Sequence, residues 1–311
     1  MTRSSCAGVL LALGLSCVSA PLNAQAWLNP KGEVTVSLGF QNSDFKGHLS
    51  EKGARQPAGA SKSRSLEIGI DYAVSDKLTL SASLPYVASR NGKDGSPVAG
   101  FGGNDDGRYH STWQDYRLEA RYNVLSEGVV LTPFVGYVIP SHRYAVFFEA
   151  GQGRDLRELQ AGFNVGRLLT PKWHQPYVEA RVLYAVPERV FGVSTNRVGI
   201  DGSLGLFITP SLSIRGVGNW QRTFGGLTAD EVLVFPPNGP PTANPNLDPE
   251  LFRQHDRLLR DKHFRAGLAA SWSLNAGTDV YAGFIRTVSG RNTHYGTSLS
   301  VGVARTLKPR G

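Results

Sequence analysis

Eight charged residues fall into three short runs: Asp115, Arg117, Glu119 and Arg121; Glu179 and Arg181; Arg197 and Asp201. Within each run the spacing is two or four. That spacing places the side chains on one face of a β-strand, where successive residues alternate sides. Two kinds of chemistry are open to such a ladder. Carboxylates and guanidiniums on either side of a water-filled passage create a transverse field and a polar constriction for small solutes. The same groups, fully paired, fill a narrow interior with ion pairs. By the same alternation Glu67, Asp71, Glu158, Arg215 and Arg265 join this face, so the two signs nearly balance.

Other groups offer less. His294, Ser298 and Asn292 form the one local grouping that resembles a hydroxyl–imidazole–amide hydrolase site, but no G-x-S-x-G elbow accompanies it. No catalytic residues are expected. The seven histidines show neither H-E-x-x-H nor H-x-x-E-H spacing, so no metal site is expected, and nothing points to a cofactor. GFGGNDDG, residues 100–107, lacks the strand-to-helix context of a phosphate loop and reads as a flexible connection. YAVFF, residues 144–148, is an apolar patch in a polar segment. Tyr144, Phe147 and Phe148 there are candidates for the first docking of an aromatic solute, or a packing surface for a neighbouring loop.

The ladder needs strands to hold it. In DYRLEARYNV, residues 115–124, the face opposite the charges carries Tyr116, Leu118, Ala120, Tyr122 and Val124. The same alternation recurs over residues 33–41, 65–74, 78–87, 129–139, 158–168, 176–186, 196–208, 212–222, 263–275, 278–288 and 295–307. That makes about twelve strands of about ten residues, the length a tilted membrane strand needs. The links alternate too. Short turns such as Ser75–Asp76–Lys77 and Thr209–Pro210–Ser211 separate long polar links at 42–64, 88–111, 140–155, 187–195 and 223–262. Short turns at one rim and long loops at the other predict a transmembrane antiparallel up-and-down β-barrel, with apolar faces toward lipid and charges inside. A soluble sandwich is the alternative, but it does not require that asymmetry. Pro85 and Pro133 are expected near strand ends, where pairing stops. Residues 27–31 are too few for a plug domain.

The N-terminus explains how such a chain leaves the cytoplasm. Arg3, an apolar stretch over residues 6–18 and Ala24–Gln25–Ala26 have the form of a signal peptide cleaved near Ala26. A lipid anchor at Cys17 is the alternative, with Gly14 where a lipobox prefers Leu. Residues 27–311 are then one barrel domain. Both cysteines lie in the leader, so the mature chain has no disulfide and no thiolate site. Beyond the leader no apolar run reaches the roughly 18 residues of a membrane helix. The net charge is +8 and the pI about 9.6. Export and the lack of any finger, RRM or KH motif argue against nucleic acid as the partner. The positive charge suits the phosphates of outer-membrane lipid and lipopolysaccharide.

The link 223–262 is the most distinctive. Its proline-rich half, PPNGPPTANPNLDP, cannot join a sheet. ELFRQHDRLLR predicts a short helix with Asp248 as N-cap, Pro249 in its first position, and Leu251, Leu258 and Leu259 along an apolar edge. Such an edge gates the mouth or packs on neighbouring loops.

LTLSASLPYV, YRLEARYNVL, VGYVIPSHRY and RTVSGRNTHYG are similar to segments of the outer-membrane protein family named for the MetA pathway of phenol degradation. The resemblance covers most of the mature chain. It implies an outer-membrane barrel in a Gram-negative bacterium, handled by the barrel assembly machinery, that passes small solutes, aromatic or hydrophobic ones included. It brings no catalytic residues. Such barrels commonly end in an aromatic residue, whereas this chain ends Thr306–Leu307–Lys308–Pro309–Arg310–Gly311.

Overall fold

The computed structural model describes residues 26–56, 61–91, 106–146, 151–169, 174–234 and 242–308. The leader before Ala26, most of GFGGNDDG, and Phe147 and Phe148 lie outside the described residues. Twelve strands form the wall: β1 (Val34–Leu49), β2 (Ser61–Ser75), β3 (Leu78–Asn91), β4 (Asp115–Tyr122), β5 (Val129–Pro140), β6 (Glu158–Leu168), β7 (Tyr177–Pro187), β8 (Thr195–Thr209), β9 (Leu212–Gly225), β10 (Lys262–Asn275), β11 (Thr278–Arg291) and β12 (Thr293–Leu307). Each pairs antiparallel with its chain neighbours. β12 closes on β1 from Val34↔Leu307 to Leu49↔Thr293, with a bulge between Phe45 and Gly47. The pairing Arg55–Gln56 lengthens the β1 rim, and His110–Trp113 continues β4 against β3. Closure gives each of the twelve wall strands a partner on both sides.

The alternation decides which face is which. On β4, Leu118 is 44 % and Tyr122 51 % exposed, whereas Arg121 is 7 % exposed. Val36, Leu38 and Phe40 of β1 and Leu299, Val301 and Val303 of β12 also face outward. Inward positions hold Thr35, Thr79, Thr132 and Asn164, all buried. Exposed Tyr72, Tyr122 and Trp272 ring the apolar band near the short turns. Tyr86, Trp113, Tyr137 and Tyr184 ring it near the long loops. An apolar band between two aromatic girdles matches a bilayer with its two interfaces. The chain is thus a transmembrane barrel whose interior is polar.

Three details differ from expectation. β1, β2 and β3 run several residues past the predicted ends at the long-loop rim. There both faces are polar, as in SKSRS at 61–65, so no apolar alternation marks the strand. Pro85 lies within β3 rather than near its end. It sits opposite the break between His110–Trp113 and β4, where its carbonyl takes the Gln114 N–H at 2.8 Å, so its missing donor breaks no ladder bond. Pro133 too lies within β5 rather than near its end, paired with Phe163 of β6 and just beyond the last β4–β5 pair, Arg121↔Phe134. The loop helix is two short pieces, α2 (Pro249–Arg253) and α3 (His255–Leu258), which follow α1 (Ala229–Val232). Asp248 caps α2 by accepting the Glu250 N–H at 2.7 Å, with Pro249 in the first turn.

Candidate functional site

The ladder is not spaced charges along one strand but a chord across the lumen. Arg121 donates from Nη2 to Asp71 Oδ1 of β2 at 2.9 Å and to Ser81 Oγ of β3 at 3.0 Å. Its Nε lies 3.7 Å from Glu119 Oε1. Glu119 in turn receives both Arg181 Nη atoms, at 3.2 and 2.5 Å, although β4 and β7 are three strands apart. Arg181 also donates to Asn164 Oδ1 at 3.3 Å, and its guanidinium stands 3.6 Å over the Phe134 ring. Bidentate geometry and a stacked face hold this planar group firmly. Arg117 lies 3.9 Å from Glu67. Nearer the loops, Arg197 pairs with Glu158 at 2.7 Å. Two carboxylates are held by neutral donors instead. Asp201 accepts from Asn219 Nδ2 at 2.7 Å, and Asp115 from the Tyr144 hydroxyl at 2.6 Å. Glu179 sits lower, where its carboxylate takes the Ala26 N–H at 3.4 Å.

Loops cap the ladder from the long-loop side. Arg154 donates to Thr195 Oγ1 at 2.6 Å and to the Arg257 carbonyl at 3.0 Å, while Arg257 returns a bond to the Asp155 carbonyl at 3.1 Å. Burial and the nearby Arg197 charge bring the Arg154 pKa down to about 10, so it remains a cation. The Tyr144 hydroxyl also accepts the Asp155 N–H at 2.9 Å. Burial and the Asp115 charge push that phenol's pKa up, so it stays a donor. Asp261 holds Gln221 at 2.9 Å, His263 at 3.2 Å and the Thr223 hydroxyl. Burial alone would raise its carboxyl, yet the His263 ring and the Thr223 bond prevail and leave it at about 2. Ala229 and Val232 of α1 and Leu259 form a small apolar cluster with Leu227, Leu247 and Phe252. The apolar edge of the loop is therefore covered largely by its own residues.

Between cap and ladder lies a cavity of about 320 Å³ lined by eight carboxylates and six guanidiniums. Beside the charges, its wall on β1, β2 and β3 carries small residues, Ser37, Gly39, Gly69, Ser81 and Ser83. Tyr281 lies across that wall. A Cβ at Gly39 or Gly302 would fall 2.5 or 2.2 Å from its phenol, so only glycine admits the ring. Sequence reasoning missed Tyr281; the available signal was its inward parity opposite Gly302.

Seven of the eight expected ladder residues line this cavity, and Glu179 lies just below it. Tyr144 is described, but its hydroxyl is engaged with Asp115. His294, Ser298 and Asn292 are not brought together. His294 and Ser298 share a face yet stand about 13 Å apart along the strand. Ser298 bonds Ser43 at 2.8 Å, His294 packs against Phe45 and His48, and Asn292 reaches Glu51 and the Arg260 carbonyl. Among the described residues no group of three or more His, Cys, Asp or Glu is placed to hold a metal ion.

The wall, girdles and polar lumen define a class, the outer-membrane type of β-barrel. No family model and no curated protein matches the chain. Among solved structures it is similar to the COG4313 outer membrane channel from Pseudomonas putida F1. That match has a TM-score of 0.66 and 12 % identity over 92 % of this chain and 99 % of the other. The likeness is one of fold. Weaker matches include the NanC porin (TM-score 0.46, 10 % identity, 88 % and 100 % covered). The TodX monoaromatic hydrocarbon channel is another (0.42, 10 %, 92 % and 93 %).

Proposed function

We propose that the chain is an outer-membrane channel for passive uptake of small solutes, exported after cleavage near Ala26 and working as one barrel domain. The cavity of about 320 Å³ between the loop cap and the charge ladder supports this reading, since it has the size of a small-molecule site. The eight ladder residues form its constriction. The resemblance to the phenol-degradation family makes aromatic compounds the cargo to test first. Arg181 already stacks on Phe134, and a guanidinium face accepts a solute ring in the same way. Tyr144, Phe147 and Phe148 are the proposed first contact for such a solute. The chain's net positive charge suits lipopolysaccharide phosphates, and the barrel assembly machinery is the proposed insertion partner.

The test is planar-bilayer recording of refolded mature protein with and without aromatic acids and alcohols. Discrete steps blocked by those solutes are expected. The loop cap over the cavity favours one second reading, a closed barrel acting through its loops. Silence from folded, inserted protein would select it.

A further inference from the structure

At the long-loop rim the outward faces of three neighbouring strands, β9, β10 and β11, end in the exposed residues Arg222, Lys262 and Arg291. These are register partners, Arg222↔Lys262 and Lys262↔Arg291. Three cations therefore stand side by side at the spacing of adjacent strands, about 4.8 Å. Arg286, also exposed, faces outward two rows lower, opposite Ala266. Like charges directly opposite one another destabilise a sheet. No carboxylate relieves them here: among the described residues none of the four forms an ion pair, and Arg222 has only the Phe224 ring, 5.1 Å from its guanidinium. Other cations on the same rim are answered from within the chain. Lys46 bonds Asp44 at 2.5 Å, and Arg64 and Arg90 stack on Tyr109.

The depth of the row says what could answer it. One row below the cations, Trp220 pairs with Phe264, and Phe264 is 39 % exposed. These rings continue the aromatic girdle, so the cations lie one two-residue step beyond it, about 7 Å along the strand. Arg286 lies below the rings, against lipid. An arginine there keeps its stem on the apolar wall and turns its head up to the interface, toward Arg291 on its own strand. The long loops of an outer-membrane barrel lie outside the cell, so all four cations meet the outer leaflet at headgroup depth. The lipopolysaccharide of that leaflet carries phosphates at this level, and guanidinium forks match phosphate oxygens.

We propose that Arg222, Lys262, Arg286 and Arg291 form one binding site for the phosphates of a lipopolysaccharide held against the outer wall over β9, β10 and β11. This inference rests on the outer-membrane reading with lipopolysaccharide as partner, and it needs no open lumen.

Native mass spectrometry of the folded barrel titrated with lipid A tests it, with heat-modifiable gel mobility to verify folding. Wild type is expected to retain lipid A, and removal of the lipid's phosphates to weaken that binding about tenfold; this comparison needs no variant. Arg222→Gln, Lys262→Gln and Arg291→Gln together should weaken it as much. Lys46→Gln, Lys62→Gln and Arg64→Gln together remove the same charge from β1 and β2, and should leave binding within about twofold of wild type. Unchanged binding by the folded first variant, or equal loss in both, overturns the site while the outer-membrane barrel stands. Equal retention of phosphatidylglycerol, or displacement of lipid A by inorganic phosphate, shows an unselective anion patch and overturns the lipopolysaccharide assignment. Failure of folded wild type to insert into lipid bilayers would overturn the outer-membrane reading and the site with it.

Discussion

Arg181 reaches across the lumen, touching Glu119, Asn164 and Phe134 from a single guanidinium. Arg181→Ala leaves Glu119 with Arg121 alone, at 3.7 Å. A half-buried carboxylate that loses its bidentate partner costs stability, here about 3 kcal/mol, and the lumen widens where the arginine stood. Denaturant unfolding of the inserted barrel should show the loss, and single-channel steps should grow. The charge-swapped pair Glu119→Arg with Arg181→Glu should recover much of the stability. A second prediction concerns pH. Burial alone would lower the His255 pKa, but Asp256, 3.1 Å away, raises it above the ordinary imidazole value. The protonated ring thus favours the docked loop at and below its ordinary pKa. That contribution is lost as pH rises through the raised value. Hydrogen exchange over α3 should quicken on that rise in wild type and lose the dependence in His255→Gln. Strand parity revealed which charges face inward. It could not reveal that Glu119 meets Arg181, because a partner 62 residues away across a lumen leaves no trace in local spacing.

For the elements, the outward face of β4 and the loop over 223–262 respond in opposite ways. Leu118→Arg puts a cation against lipid in the middle of an apolar strand face. It should destabilise the barrel by roughly 2–4 kcal/mol, measured by refolding yield in bilayers of defined thickness. Leu258→Asp buries a carboxylate where a leucine is 1 % exposed. It should release the α3 segment without unfolding the wall, raising protease sensitivity near α3 and the conductance together. The strands were legible because lipid on one side and polar lumen on the other enforce a period of two. Their extensions beyond the membrane were not, since both faces of Ser61–Ser65 meet polar surroundings and carry no contrast. The helical loop was legible from Asp248 and Pro249. Its break after Arg253 was not; there Gln254 ends α2, its N–H donating to the Glu250 carbonyl at 3.0 Å.

The whole molecule combines a lipid-facing apolar band, a lumen crossed by ion pairs and a loop cap above. A lumen filled to this extent differs from a wide pore, and passage through it depends on groups that can yield. Planar-bilayer recording of folded, inserted wild-type and Arg181→Ala protein measures that dependence directly. Discrete small steps in wild type, with altered size and ion selectivity in Arg181→Ala, are the expected result. Silence from both, or steps indifferent to Arg181, would contradict a solute path past the ladder.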